Sequence, residues 1–303
     1  MPSYRPLLTG LASWEQPEVK YDTISFLSDY GHRDEFVGVV KSVIRSIAPA
    51  VAVIDITHDI DPFDIRGGGL ALARSAQYLA PGVVIAAVDP TAGSSRRCVA
   101  VEVGDGSAVL VGPDNGVLAP AVALVGGASR AVSLTNTELH LPAIGTTFAG
   151  RDILGPVAAH LCGGVDFAEL GDPVEPAVLM PGVLPVSEAV GDEVVAEVLW
   201  IDRFGNVQLN ADPLEVAPFG QLLNLTVNGR GHQVHRVGHF DEIPPGSIGL
   251  MEDAYGLLSI VAQRASAAEQ VDIAAGDELR LREAGAPVGV GTPLSLSPRK
   301  EQS

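Results

Sequence analysis

Two segments of the chain place acids and glycines where an apolar run stops. SDYGHRDEFVGVV, residues 28–40, follows the apolar run 24–27 and passes through the turn Asp29-Tyr30-Gly31 into an amphipathic stretch that reaches Ile47. VDPTAGSSRR, residues 88–97, follows VVIAAV, residues 83–88, whose β-branched and small residues suit a strand buried on both faces. In an open α/β sheet ligands sit at the carboxyl ends of such strands. Asp29 and Asp89 are therefore expected to project from neighbouring strand tips into one crevice.

The rest of the first half supports that sheet. Strand candidates at 23–27, 51–55, 83–88, 99–103 and 108–111 alternate with helical patterns, and GGGLALARSAQYLAPG, residues 67–82, reads as a crossover helix stopped by Pro81-Gly82. From about residue 189 the apolar period changes to two. EVVAEVLWID, NVQLN, LLNLTVNG, HQVHRVGHF, GLLSIVA and DELRLRE are short alternating strands separated by turns, as in a small β-barrel or sandwich. The expected organisation is a leader at 1–20, a Rossmann-like α/β sheet domain at 21–172 and a Pro- and Gly-rich linker at 173–188. A smaller β-barrel-like domain at 189–285 and a fraying tail at 286–303 complete it.

With 47% hydrophobic and 18% charged residues, 303 residues can bury a large core. No apolar run approaches the roughly 20 residues of a spanning helix, so no membrane partner is expected. The first 20 residues lack the basic start and continuous apolar stretch of a secretory signal, which makes a cytoplasmic location the default. A formal charge of -18 argues against nucleic acid as a partner, since such binding rests on Lys and Arg. Cys98 and Cys162, the only cysteines, are too few for a disulfide framework or a cysteine zinc site and read as core residues. A metal site at His232, His235 and His239 is not expected, because a spacing of three on a strand puts the first two on opposite faces. Gly67 to Gly69 lack the dinucleotide and phosphate-loop signatures and read as close helix packing. No Gly-x-Ser-x-Gly elbow is present.

Seven polar loops remain attached to apolar strands: SDYG, ITHDIDPFDIRGG, VDPTAGSSRR, GPDNGVL, TTFAGRDI, IDRFGNVQLN and EDAYGLLSIVAQRASAAE. In this order the chain resembles, over about residues 22–285, the S-adenosylmethionine hydroxide adenosyltransferase family, which includes fluorinating and chlorinating enzymes acting on the same substrate. The resemblance implies hydrolysis of S-adenosylmethionine to adenosine and L-methionine, with no metal and no cofactor beyond the substrate. It also implies a homotrimer whose active sites lie where one subunit's first domain meets the next subunit's second.

Within that resemblance each part of the substrate has a candidate partner. Asp29 can accept hydrogen bonds from both ribose hydroxyls; read alone it is also a good turn former. Phe63 of DPFDIR resembles the aromatic stacked near the substrate, and Phe148 of TTFAGRD falls among the same contacts. Asp202 and Asn206 match the motif that holds the methionine end, although D-R-F-G-N is equally a good hairpin turn. Ala254 and Tyr255 fall where relatives contact the methionine carboxylate, with Tyr255 replacing the Arg of halogenating relatives. Gln263, Arg264 and Ala265 are expected to offer backbone groups to adenine.

Hydrolytic relatives activate water with an Asp, Arg and His trio. Asp89 and Arg96 match the first two, as a carboxylate that orients water and a cation that lowers its pKa. Ala149 stands where those relatives carry His, and an alanine can neither donate, accept nor hold charge. Either water activation is impaired or a nearby group such as His58 substitutes. Thr91-Ala92 also replaces the usual Gly-Val. Two alternatives remain: a halogenase, disfavoured by Asp89 where halogenating relatives present Tyr or Thr, and a binding protein without chemistry.

Overall fold

The computed structural model describes residues 20–285. They form two units that divide between Leu184 and Pro185. The expected tail and all but the last residue of the expected leader lie outside the described residues. Among the described residues no helix is long and apolar enough to cross a membrane.

The first unit is built on a seven-stranded sheet. In chain order the strands are β1 (Thr23–Ser28), β2 (Ala52–Thr57), β3 (Gly82–Ala87), β4 (Cys98–Val103), β5 (Ala108–Pro113), β6 (Ala128–Ser133) and β7 (Asp172–Val174). Their order in the sheet is β2-β1-β3-β5-β4-β6-β7, with β2, β1, β3 and β5 parallel and the remaining pairs antiparallel. Every residue of β1 and β3 is buried, which is why both read as near-continuous apolar runs. On one face Ile24, Phe26 and Ile85 pack with Val40 and Ile44 of helix α1 (Phe36–Ile47) and Val157 and Leu161 of helix α4 (Gly155–Cys162). On the other, Leu27, Val84 and Leu110 meet Leu72 of α2 (Ile65–Ala76) and Ala121 of α3 (Ala119–Leu124).

The glycine triplet that opens α2 serves helix packing. A Cβ at Gly69 would lie 3.2 Å from the Val117 carbonyl and from the Pro120 ring. Cys162 is buried and Cys98 half-buried, and burial pushes both thiols up to about 12, so they pack rather than react.

All five strands expected in this half are present, each within one or two residues of its expected bounds. Two more, β6 and β7, carry too few apolar residues to be read as strands. β7 opens the segment expected as a linker, and as far as Met180 that segment is tied to the loops beside β4 and β5: the Met180 N–H donates to Asp114 Oδ1 at 2.8 Å and Arg97 Nη2 to the Val178 carbonyl at 3.4 Å.

The second unit is a closed barrel. Its strands are β8 (Glu188–Val190), β9 (Glu193–Ile201), β10 (Val207–Leu209), β11 (Leu222–Val227), β12 (Arg230–Arg236), β13 (Ile248–Glu252), β14 (Leu258–Ala262) and β15 (Glu278–Glu283). The order β10-β14-β13-β12-β11-β15-β9 returns to β10, leaving β8 as a short addition to β9. Alternate residues point inward, as in β9, where Val194, Ala196 and Val198 are buried. β12 is shorter than the expected HQVHRVGHF strand, and it pairs in parallel with β13, a strand that had not been expected.

The sheet tightly constrains Gly82, the first residue of β3. Its φ is +156° and a Cβ there would overlap the Thr23 carbonyl oxygen of β1. Gly82→Ala is expected to cost about 3 kcal/mol in chemical denaturation, through strain and overpacking together.

Candidate active site

The chain leaves β1 for β2 on one side and then passes to β3 on the other, so the strand order reverses between β1 and β3. Such a switch point opens a crevice at the carboxyl ends. Ser28 lies opposite Ala87 in the parallel register, and the Asp29 N–H donates to the Ala87 carbonyl at 3.4 Å. Asp29 and Asp89 therefore leave the sheet side by side, as expected. Their proximity has an electrostatic consequence. Burial raises the pKa of Asp29 above the ordinary carboxylate value and the charge of Asp89 adds to that rise, against hydrogen bonds that lower it from the backbone N–H groups of Phe63 and of Asp29 itself.

The loop after β2 closes over this tip. The Phe63 N–H donates to Asp29 Oδ2 at 3.0 Å, leaving the carboxylate most of its lone-pair sites for a ligand. Phe63 has φ +71° and its side chain is 67% exposed. A left-handed aromatic held out in solvent is costly unless something covers it. Phe148 instead packs edge-on against Tyr30 and Phe36, at 5.8 and 5.1 Å between ring centroids, and forms the wall behind the tips.

Asp89 is set within its own loop. Its Oδ1 accepts the Thr91 N–H at 2.9 Å and the Thr91 hydroxyl at 2.8 Å. Arg96 Nε donates to the same hydroxyl oxygen at 2.9 Å and lies 3.6 Å from Asp89 Oδ1. Thr91, which sequence reasoning treated only as an oddity, thus joins the acid to the cation. The GPDNGVL motif fixes this arrangement from behind: Arg96 Nη1 donates to the Asp114 carbonyl at 3.2 Å, and Asn115 Nδ2 to the Val88 carbonyl at 2.8 Å. The loop carrying Ala149 touches the same segment through Thr146, whose hydroxyl donates to the Gly93 carbonyl at 3.4 Å. Ala149 itself is partly buried and begins the short π-helical turn Gly150–Leu154.

In the second unit Asp202 organises the hairpin between β9 and β10. Its Oδ1 accepts the N–H groups of Phe204 and Asn206 at 2.8 and 2.9 Å, and its Oδ2 accepts Asn206 Nδ2 at 2.8 Å. The hairpin reading of D-R-F-G-N holds, and residues of the same turn line two clefts. One, of about 870 Å³, is lined by Phe204, Asn206, Phe240, Gln263, Arg264 and Ala265. The other, of about 270 Å³, includes Trp200, Asp202, Asn206, Gln208, Ala254 and Tyr255. Phe240, 44% exposed beside the 70% exposed Phe204, was hidden by reading its segment as one strand to residue 240. Asp253 was also missed. Its two oxygens accept from Tyr255 N–H, Leu257 N–H, Gln208 and Ser259, which fixes the turn that presents Ala254 and Tyr255. Among the described residues no three His, Cys, Asp or Glu side chains converge as a metal site.

The first unit thus carries paired carboxylates at the switch point of an α/β sheet, and the second is a β-barrel bearing two aromatic-lined clefts. Comparison with known proteins specifies the class. The family descriptions of the SAM hydroxide adenosyltransferase N-terminal and C-terminal domains match residues 24–171 and 196–280. The chain belongs to that family. It is 39% identical over 258 residues to a protein of Salinispora tropica named (R)-S-adenosyl-L-methionine hydrolase, covering 85% of this chain and 97% of that one. A Thermus thermophilus protein of the same name is 38% identical, covering 85% and 98%. A fluorinase of an Actinoplanes species is 26% identical over 62% of this chain and 70% of its own. An uncharacterised conserved protein of Thermotoga maritima superposes with a TM-score of 0.79 at 29% identity, covering 86% of this chain and all of that one.

The raised pKa of Asp29 yields a test. A carboxyl whose pKa is higher folded than unfolded destabilises the fold once pH exceeds its unfolded value, and the penalty is complete above the folded value. Asn at this position can still accept from Phe63 and carries no charge. Asp29→Asn is expected to be more stable than the wild type at about pH 7, the gain fading as pH falls toward about 4. Thermal denaturation across that range measures it.

Proposed function

We propose that the protein hydrolyses S-adenosyl-L-methionine to adenosine and L-methionine. The observation that carries this reading is the Asp89–Thr91–Arg96 cluster beside Asp29, an acid and a cation joined by a hydroxyl at a strand-tip crevice, in a chain whose relatives at 38–39% identity are named for that hydrolysis. Asp29 accepts hydrogen bonds from the ribose hydroxyls, with Phe63 covering the sugar. Water held by Asp89 attacks the ribose 5′ carbon. A bond forms from the water oxygen to that carbon, and the carbon–sulfur bond breaks with its electron pair going to sulfur. Methionine leaves as a neutral thioether and the proton passes through Asp89 to solvent.

Charge logic favours this course. Attack by hydroxide on a sulfonium destroys charge, so a site that strips water from both accelerates it. Arg96 stabilises the hydroxide as it forms. Asp89 repels a halide but gives water an acceptor for its proton, which favours hydrolysis over halogenation. A thioether leaves without help, so the reaction needs neither metal nor organic cofactor.

In the second unit the rings of Phe204 and Phe240 offer stacking surfaces to adenine, with backbone groups at Gln263, Arg264 and Ala265 along the same cleft. Asp202, in the smaller cleft with Ala254 and Tyr255, faces the ammonium of the methionine end. Asn206 lines both clefts and so suits the junction between nucleoside and amino acid. A homotrimer with sites completed between subunits and a cytoplasmic location belong to the same reading.

Ala149 supplies the sharpest test. Its loop borders the Asp89 loop, so restoring an imidazole there adds an acid or base next to the attacking water. Ala149→His is expected to raise the rate of adenosine release by about 10- to 1000-fold. A lower or unchanged rate in a folded variant with intact substrate affinity would contradict the proposed role of this position.

A further inference from the structure

Behind the Asp29 tip runs a polar chain, buried at Ser28 and His58, that the reaction above leaves unused. His58 follows β2 and, like Ser28 at the end of β1, has no solvent exposure. Its Nδ1 lies 2.7 Å from Ser28 Oγ, and its Nε2 lies 3.1 Å from Asp55 Oδ1. The other Asp55 oxygen meets Lys41 Nζ at 2.6 Å, which carries the chain to helix α1. The backbone joins in as well. Ser28 Oγ accepts the Tyr30 N–H at 3.3 Å, and the His58 carbonyl accepts the Gly31 N–H at 2.7 Å. The residues before and after Asp29 are thus both tied to His58, while the Asp29 carboxylate is tied to Phe63 at the far end of the same loop.

The pattern of donors assigns a tautomer. Ser28 Oγ takes the Tyr30 N–H on a lone pair, so its own hydroxyl proton is free to point at His58 Nδ1. A ring that accepts at Nδ1 carries its proton at Nε2, facing Asp55. Neutral imidazole therefore suits the Ser28 hydroxyl and turns its N–H toward Asp55 Oδ1, 3.1 Å away, where the geometry falls short of a hydrogen bond. A protonated ring would present a donor to the Ser28 hydroxyl and force that proton to find another acceptor inside the core.

We propose that His58 is the positioning residue of the ribose anchor: by receiving the Ser28 hydroxyl and holding Gly31, it sets the direction in which Asp29 leaves β1. This rests on the reading of Asp29 as the ribose-binding carboxylate. Leaving a buried polar group without its partner costs more than the bond itself, so the tip loses its orientation when either member of the Ser28–His58 pair is deleted.

The groups facing the ring are Asp55 on β2, Lys41 on α1, the Phe26 edge on β1 and His32 in the loop after β1, the last two at 4.6 and 5.4 Å between centroids. Burial holds the pKa of His58 below the ordinary imidazole value; Asp55 opposes that shift, while His32 and Lys41 reinforce it. A histidine with a lowered folded pKa stabilises the fold fully above its unfolded value, and that stability is lost as pH falls from there through the folded value. Acid should therefore loosen the tip.

Calorimetric titration of adenosine between about pH 8 and pH 5 tests this with Ser28→Ala, His58→Leu, His58→Asn and Asp29→Ala, each first shown to be folded by circular dichroism. Ser28→Ala and His58→Leu are expected to weaken binding by about 5- to 50-fold at neutral pH. The wild type should lose affinity as pH falls below the ordinary imidazole range. His58→Asn, whose amide oxygen can stand near the Nδ1 position but does not titrate, should recover most of the affinity and lose the acid-dependent fall. Unchanged affinity in Ser28→Ala, or an acid-dependent fall of undiminished size in His58→Asn, overturns the proposal. Wild-type affinity in Asp29→Ala would instead remove the ribose anchor on which it rests.

Discussion

The parallel register between β1 and β3 is the constraint on which the rest of the site depends. With Ser28 opposite Ala87, the next residue of β1 and the second residue beyond β3 emerge together where the strand order reverses. A slip of one residue would turn Asp29 to the other face of the sheet. Burial on both faces prevents that slip, because Ile24 and Phe26 pack against one helical layer and Leu27 against the other. Core packing and active-site geometry are here one requirement.

Two carboxylates held side by side repel, and the molecule handles the two differently. Asp29 is partly buried, carries one bond from Phe63 and has a raised pKa, so it is a strained acceptor that a pair of ribose hydroxyls would relieve. Asp89 is instead supported by Thr91 and faced by Arg96. Separate environments for neighbouring acids would let one crevice divide the proposed anchoring from the proposed proton handling. The cost of the first environment is the stability that an uncharged residue at position 29 would restore.

What the sequence revealed followed from how local each signal was. β1 and β3 were legible because burial on both faces writes a continuous apolar run, and Asp29 and Asp89 because turn residues follow those runs at once. The barrel was legible in the alternation of EVVAEVLWI and LLNLTV, although its closure through the β10–β14 and β9–β15 pairings was not, since closure is a long-range fact. β6 and β7 escaped because ASRAVS and DPV carry no strong apolar period and owe their strand form to the neighbours they pair with. Thr91 escaped because its role depends on a side chain five residues away folding back to it. Phe240 escaped because a 3-10 turn interrupts what reads as one strand. His58 and Ser28 lie thirty residues apart, and only the β1–β2 pairing makes them neighbours.

The central claim is that water attacks the ribose 5′ carbon. Incubation with S-adenosyl-L-methionine in oxygen-18 water, with chloride present, followed by mass spectrometry of both products, tests it most directly. The account predicts one labelled oxygen in adenosine, at the 5′ position, and unlabelled methionine. A 5′-chlorinated nucleoside, label in methionine, or recovery of intact substrate alone would contradict it.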